Sequence, residues 1–198
     1  MRKEPSQDKE ANVRTFICID IPAEIKLRME KLQATLRSAG GQVSWTRPNN
    51  IHLTLKFLGN VPAARVAAVC SGVRTACQGI GSFKVTVSGA GCFPSPRSPR
   101  VLWVGLAKAP ELVSLYESVE DAMSSLGFDR ETRTFSPHLT IGRLRSRENA
   151  QRLGELITSI GFESETFEAR EVIVMRSSLK PTGAIYTPLD VIPLGTHL

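Results

Sequence analysis

The chain holds three histidines, and two of them stand two residues before a threonine. One copy is His52-Leu53-Thr54-Leu55 and the other is His138-Leu139-Thr140-Ile141. Histidine exchanges protons near neutral pH, with an ordinary pKa of about 6.5. Two of them on opposite sides of a substrate supply a general base and a general acid. That pair suits displacement at phosphorus. The base takes the proton of an attacking water, and the acid protonates the departing alkoxide. A threonine hydroxyl beside each histidine is a donor for the non-bridging phosphoryl oxygens, which need stabilising in the transition state. Arg143 adds a forked, charged donor for the same oxygens. In an ideal strand its parity is opposite to that of His138, so it must reach around or sit past the strand's end.

Each of these residues also has a structural reading. One histidine on a strand is more often structural than catalytic, and it is the repetition at equivalent positions that carries the chemistry. No metal is expected, because neither motif has a Cys, Asp or Glu at ligand spacing. His197 has no companion threonine and is assigned no role. Arg97, Arg100, Arg130, Arg133, Arg145 and Arg147 are candidates for an RNA-facing surface, although each taken singly reads as a solvated side chain. Trp103 and Phe135 have rings that could stack on a base, but core packing is the preferred reading for both.

The motifs need strands to present them. Alternation of His52 and Thr54 with Leu53, Leu55 and Phe57 reads as a half-buried strand, closed by Gly59. The second motif strand runs from Phe135 to Leu144. Phe16 to Ile19, Val43 to Thr46, Ser82 to Cys92, Val101 to Leu106, Phe167 to Met175 and Ile185 to Ile192 are further strands, with Thr182-Gly183 a turn. Helices are read from apolar spacing. The first carries Ile25, Met29, Leu32 and Leu36. Pro62 opens the second, with Val66, Val69, Val73 and Cys77 inward. Pro110 opens the third, with Leu112, Leu115, Val119, Met123 and Leu126, and Gly127 ends it. Ser146 caps the fourth, with Leu153, Leu156, Ile157 and Ile160.

Each half then reads strand, helix, His-x-Thr strand, helix, strand. Pro22 precedes His52 by 30 residues and Pro110 precedes His138 by 28. This layout predicts an α+β fold: two pseudo-symmetric lobes with antiparallel sheets facing across a central cleft, helices outside, and the motifs opposed. Residues 1–12 are expected to form a flexible tail and 13–198 a single bilobal domain.

Composition sets the outer limits. At 198 residues, 41% hydrophobic and 22% charged, the chain is an ordinary globular protein. A net charge of +6 favours an anionic partner such as RNA, a nucleotide or a membrane surface, and serves simple solubility equally well. Cys18, Cys70, Cys77 and Cys92 form no Cys-x-x-Cys pair, and on one helix Cys70 and Cys77 would stand about 10 Å apart, too far for a disulfide. Four reduced thiols and a charged N-terminus without an apolar core point to the cytoplasm. No stretch is long enough to span a membrane.

The stretches His52-Leu53-Thr54-Leu55-Lys56-Phe57-Leu58-Gly59 and Pro137-His138-Leu139-Thr140-Ile141-Gly142-Arg143 resemble the RNA 2′,3′-cyclic phosphodiesterases, formerly called bacterial 2′-5′ RNA ligases, of the two-histidine phosphoesterase superfamily. Arg14 to Pro22 and Arg100 to Leu106 resemble them too, so the likeness runs from Arg14 onward. It implies a bilobal fold, no metal or nucleotide cofactor, and hydrolysis of an RNA 2′,3′-cyclic phosphate end to a 2′-phosphate. By matching position, it implies that His52 donates a proton to the leaving 3′ oxygen and His138 accepts one from water. Thr54, Thr140 and Arg143 would hold the phosphate. The reverse reaction, 2′-5′ ligation, would need no ATP. A monomer with RNA as partner is expected. The residues alone leave two alternatives open: a phosphodiesterase for small cyclic nucleotides or 2′-5′ oligoadenylate, and a non-catalytic RNA-binding module.

Overall fold

The computed structural model describes residues 12–181 and 183–195. Nine strands and four helices lie among them: β1 (Asn12–Asp20), α1 (Ala23–Arg37), β2 (Val43–Trp45), β3 (His52–Pro62), α2 (Val66–Ala76), β4 (Phe83–Phe93), β5 (Val101–Leu106), α3 (Pro110–Ser125), β6 (His138–Leu144), α4 (Ala150–Ile160), β7 (Glu165–Ala169), β8 (Glu171–Lys180) and β9 (Gly183–Pro193). The tail expected over residues 1–12 lies outside the described residues except for Asn12, which pairs with Pro62. His197 and Thr182 also lie outside them.

The strands form two antiparallel sheets, ordered β3-β1-β8-β9 and β2-β6-β5-β4-β7. The α+β reading therefore holds, but the lobes are not the two halves of the chain. β2 and β4 of the first half join the sheet of the second motif, while the C-terminal β8–β9 hairpin completes the sheet of the first. The strand expected over Phe167 to Met175 is in fact two. It breaks at Arg170, so that β7 pairs with β4 in one sheet and β8 with β1 in the other.

The main apolar core lies between the sheets and the helices, and Phe16, Cys18 and Ile173 form a second, smaller cluster. Ile25, Met29, Leu32 and Leu36 of α1 are buried in the main core, with Leu112, Leu115, Val119 and Met123 of α3, as their spacing requires. The second motif strand begins only at His138, because residues 129–137 form an irregular approach to it. β3 continues through Gly59 to Pro62 instead of closing there. A short 3-10 turn over Ala63–Arg65 separates Pro62 from α2. Ser146 does not cap α4. Asn149 takes that position in the left-handed region (φ 53°) and gives no side-chain cap. Ile160, assigned above to the apolar face of α4, is exposed.

Candidate active site

The motif strands share an irregularity that alternation conceals. In β3, Thr54 pairs with Cys18 but the next paired residue is Lys56, opposite Ile17. In β6, Thr140 pairs with Trp103 and the next is Gly142, opposite Leu102. Leu55 and Ile141 are therefore the extra residues of two β-bulges at equivalent places. A bulge resets the side-chain parity. Residues 52–57 and 138–143 consequently have the same burial pattern, with both residues at 55–56 and at 141–142 turned inward.

Arg143 is brought onto the face of His138 and Thr140 by this bulge, opposite Val101. It neither reaches around nor lies beyond the strand. In β3 the same step places Phe57 on the face of His52 and Thr54, 62% exposed, where alternation had assigned it to the core. Lys56 goes inside in its place. Its ammonium donates to both oxygens of Glu120 at 2.8 Å and to the Asp129 carbonyl at 2.8 Å, which uses all three of its protons. Glu120 also accepts the Glu131 N–H at 3.1 Å. This buried pair ties the first motif strand to α3 and to the segment leading to the second motif. The other bulge is held by Gln33 of α1, whose Nε2 donates to the Ile141 carbonyl at 2.8 Å and to Thr46 O at 2.7 Å. Neither role was legible in the sequence, since a lone Lys or Gln at a core-facing position carries no motif.

Both imidazoles are held in the same way. His52 Nδ1 lies 2.8 Å from Asn50 O, and His138 Nδ1 lies 2.8 Å from Ser136 O. A carbonyl can only accept, so each Nδ1 carries a proton and donates it. Nε2 is left on each ring as the nitrogen free to exchange a proton. Asn50 is itself anchored, with Nδ2 donating to Ala184 O of β9 at 2.9 Å.

The surroundings of the two rings differ. His52 stacks on Phe16 with centroids 4.7 Å apart and meets the edge of Tyr186 at 5.4 Å. That burial pushes the His52 imidazole below its ordinary pKa; the Asn50 carbonyl and Asp20 act in the opposite direction. Among the rings of the described residues, His138 meets Phe93 alone, edge-on at 5.1 Å. The two motif strands come close to each other. β3 and β6 approach within 8 Å between Cα atoms. Burial raises the Tyr186 phenol, and the charges of Arg14 and Arg143 draw it back, so Arg143 of one sheet acts on the ring that covers His52 in the other.

Trp103, expected to pack in the core, lies outside both apolar clusters. It shares the Thr140 face, beside Phe93 at 5.1 Å. A Cβ on Gly91 would meet its ring at 2.7 Å, so glycine is what lets the indole lie flat on the sheet. Its Nε1 is buried without a partner. Phe135 does pack as expected, stacked on Tyr116 at 3.9 Å. Arg130 pairs with Asp121 and Arg133 with Glu131, which leaves them engaged on the surface. Among the described residues, no three of His, Cys, Asp and Glu come together as a metal site would require.

Two histidines held alike on matched, bulged strands of two antiparallel sheets define a two-histidine phosphoesterase. The family model described as LigT like Phosphoesterase matches the chain twice, over residues 19–103 and 104–186, each match containing one motif. The chain belongs to this family. It is 36% identical over 183 residues to the RNA 2',3'-cyclic phosphodiesterase of Methanothermobacter thermautotrophicus, covering 92% of this chain and 99% of that one. It is 34% identical over 177 residues to the protein of the same name from Thermotoga maritima, covering 89% and 93%. Among solved structures, E. coli LigT in apo form superposes with a TM-score of 0.74 at 26% identity, over 94% of this chain and 99% of that one. A further structure of that protein, complexed with 3'-AMP, gives 0.72 at 27% identity over 92% and 98%. No helix among the described residues is long and apolar enough to cross a membrane.

Proposed function

We propose that the protein hydrolyses the 2′,3′-cyclic phosphate at the end of an RNA strand to a 2′-phosphomonoester, with His52 and His138 moving the protons. The observation that carries this reading is the matched imidazole geometry, in which each Nδ1 is committed to a backbone carbonyl and each Nε2 is free. Two titratable groups held in the same tautomer are what an in-line displacement needs and what a binding module does not. His138 Nε2 takes a proton from water as its oxygen bonds to phosphorus. The bond from phosphorus to the 3′ oxygen breaks, and protonated His52 supplies that oxygen's proton. The donor and acceptor roles follow the family likeness. Thr54 and Thr140 donate to the non-bridging oxygens, and Arg143 grips them through two N–H groups.

Burial opposes a charged His52 in the free protein, and the bound phosphate anion offsets this by favouring the imidazolium. The same path run backwards would join a cyclic end to a 5′-hydroxyl end as a 2′-5′ linkage without ATP. Four free cysteines, three of them buried, fit work in a reducing cytoplasm.

The test is a short RNA with a cyclic phosphate end, incubated with the protein and chromatographed against 2′- and 3′-phosphate standards. A 2′-phosphate product that disappears with His52→Ala and with His138→Ala is expected. A 3′-phosphate product, or full activity in either variant, refutes the assignment. Parallel rates on small cyclic nucleotides and 2′-5′ oligoadenylate rank the alternative substrates.

A further inference from the structure

Arg97, Arg100, Arg145 and Arg147 line a concavity of about 570 Å³ at the far end of β6, and neither a carboxylate nor an aromatic ring lines it. Two of the arginines come from the β4–β5 connection and two follow β6. Other exposed arginines, such as Arg74, Arg130 and Arg170, lie against carboxylates. None of these four is in an ion pair among the described residues. Unneutralised like charges around a concavity raise its positive potential and favour an anion within it.

Two further features agree. The Ser146 hydroxyl is buried in the lining without a hydrogen-bond partner. The first turn of α4, at Ala150 and Gln151, closes the wall, and no side chain caps it. The positive end of that helix therefore borders the cavity.

We propose that this cavity binds the sugar–phosphate backbone of the RNA strand leading to the reacting end. The inference rests on the RNA reading above. At 3.3 Å per residue, the six steps from His138 to Leu144 place the cavity about 20 Å from the histidine. Arg143 on the histidine face carries positive charge between the two, and Arg145, whose Nε donates to Ser44, continues it at the cavity. A strand of several nucleotides spans that distance, whereas a mononucleotide ends before it. Guanidinium groups without aromatic rings suit phosphates rather than bases. The rings stand at the other end, where Phe16, Phe57 and Trp103 share the histidine faces. On sequence alone these four arginines stand together with Arg130 and Arg133; only the four share the cavity.

The test compares a 2′,3′-cyclic mononucleotide with a cyclic-phosphate-ended RNA oligomer, using wild type and the Arg97→Ala/Arg147→Ala double variant. The variant should raise KM for the oligomer about tenfold and reduce the slope of log affinity against log salt by about 1.4, at about 0.7 per lost contact to a single strand. The mononucleotide KM is the internal reference and should stay within error. The Arg97→Lys/Arg147→Lys variant should restore the slope. An unchanged oligomer KM, or equal losses on both substrates, overturns the proposal. If wild type hydrolyses neither substrate, the catalytic reading fails independently. Fluorescence anisotropy with a 2′-phosphate-ended RNA, which needs no turnover, then decides the cavity by the same salt slope.

Discussion

Leu55 and Ile141 occupy the same place in the two motif strands: each is the unpaired extra residue immediately after the motif threonine. The site depends on that residue as much as on the histidines. Without it, the side chain three positions beyond the threonine would face the core. With it, Arg143 stands beside Thr140.

Arg143→Ala should lower kcat/KM for the cyclic phosphate about a hundredfold, as expected when a donor to developing phosphoryl charge is lost. Arg143→Lys should recover only part of this, because an ammonium keeps the charge but not the two parallel N–H groups. Steady-state kinetics of the two variants checks it, and full recovery by lysine would show that charge alone is needed.

His52 should make stability depend on pH. Its pKa is lowered in the folded protein, mainly by burial, from an unfolded value of 6.5. Between these two values the unfolded chain binds more protons, so stability rises with pH there. The His52 contribution is complete above about pH 6.5 and is lost as pH falls from there toward the folded pKa. Urea titrations across this range, for wild type and His52→Gln, should show a steeper acid decline in the wild type. Parallel curves would contradict it.

The cover over His52 also offers a way to tell acid from base. Tyr186→Ala removes an edge contact and part of the burial, which should raise the His52 pKa. If His52 is the proton donor, its protonated fraction multiplies the rate at every pH. The variant's kcat/KM should then exceed that of wild type on the alkaline side and equal it on the acid side. A loss confined to the acid side would make His52 the base and exchange the two roles.

Lys56→Ala or Glu120→Leu should each cost about 3–5 kcal/mol, because either leaves a buried charge without its partner. Lys56→Met combined with Glu120→Leu should recover much of this, since a buried ion pair is often no better than well-packed apolar groups. Denaturant midpoints at constant m-value measure both. A double variant as unstable as the singles would show that the bonds to Asp129 and Glu131 carry the cost.

The catalytic candidates were legible because type and spacing repeat, and the helices because Ile25, Met29, Leu32 and Leu36 keep one face. The bulges were not. Leu53, Leu55 and Phe57 look like unbroken alternation, and nothing in the residues says that the ladder skips Leu55. Phe57 pointing inward and Arg143 having to reach around the strand both follow from the same unbroken alternation. The exchange of strands between lobes was hidden for another reason. Phe167 to Met175 reads as one strand on sequence, and only the change of hydrogen-bonding partner at Arg170 separates β7 from β8. Lys56, Gln33 and Asn50 act through contacts with residues far away in sequence, which a single chain read in order does not reveal.

Phe57 and Arg143 are counterparts under the pseudo-twofold relation of the strands, yet one is an aromatic ring and the other a cation. A site with two equal halves would accept a ligand in either of two orientations with the same energy. Here the halves offer a flat apolar surface on one side and a fixed positive charge on the other. The chain carries a matched pair of histidines, and the divergence of this position, together with the unequal surroundings of the two rings, gives the site a left and a right. A strand entering it has a single productive heading.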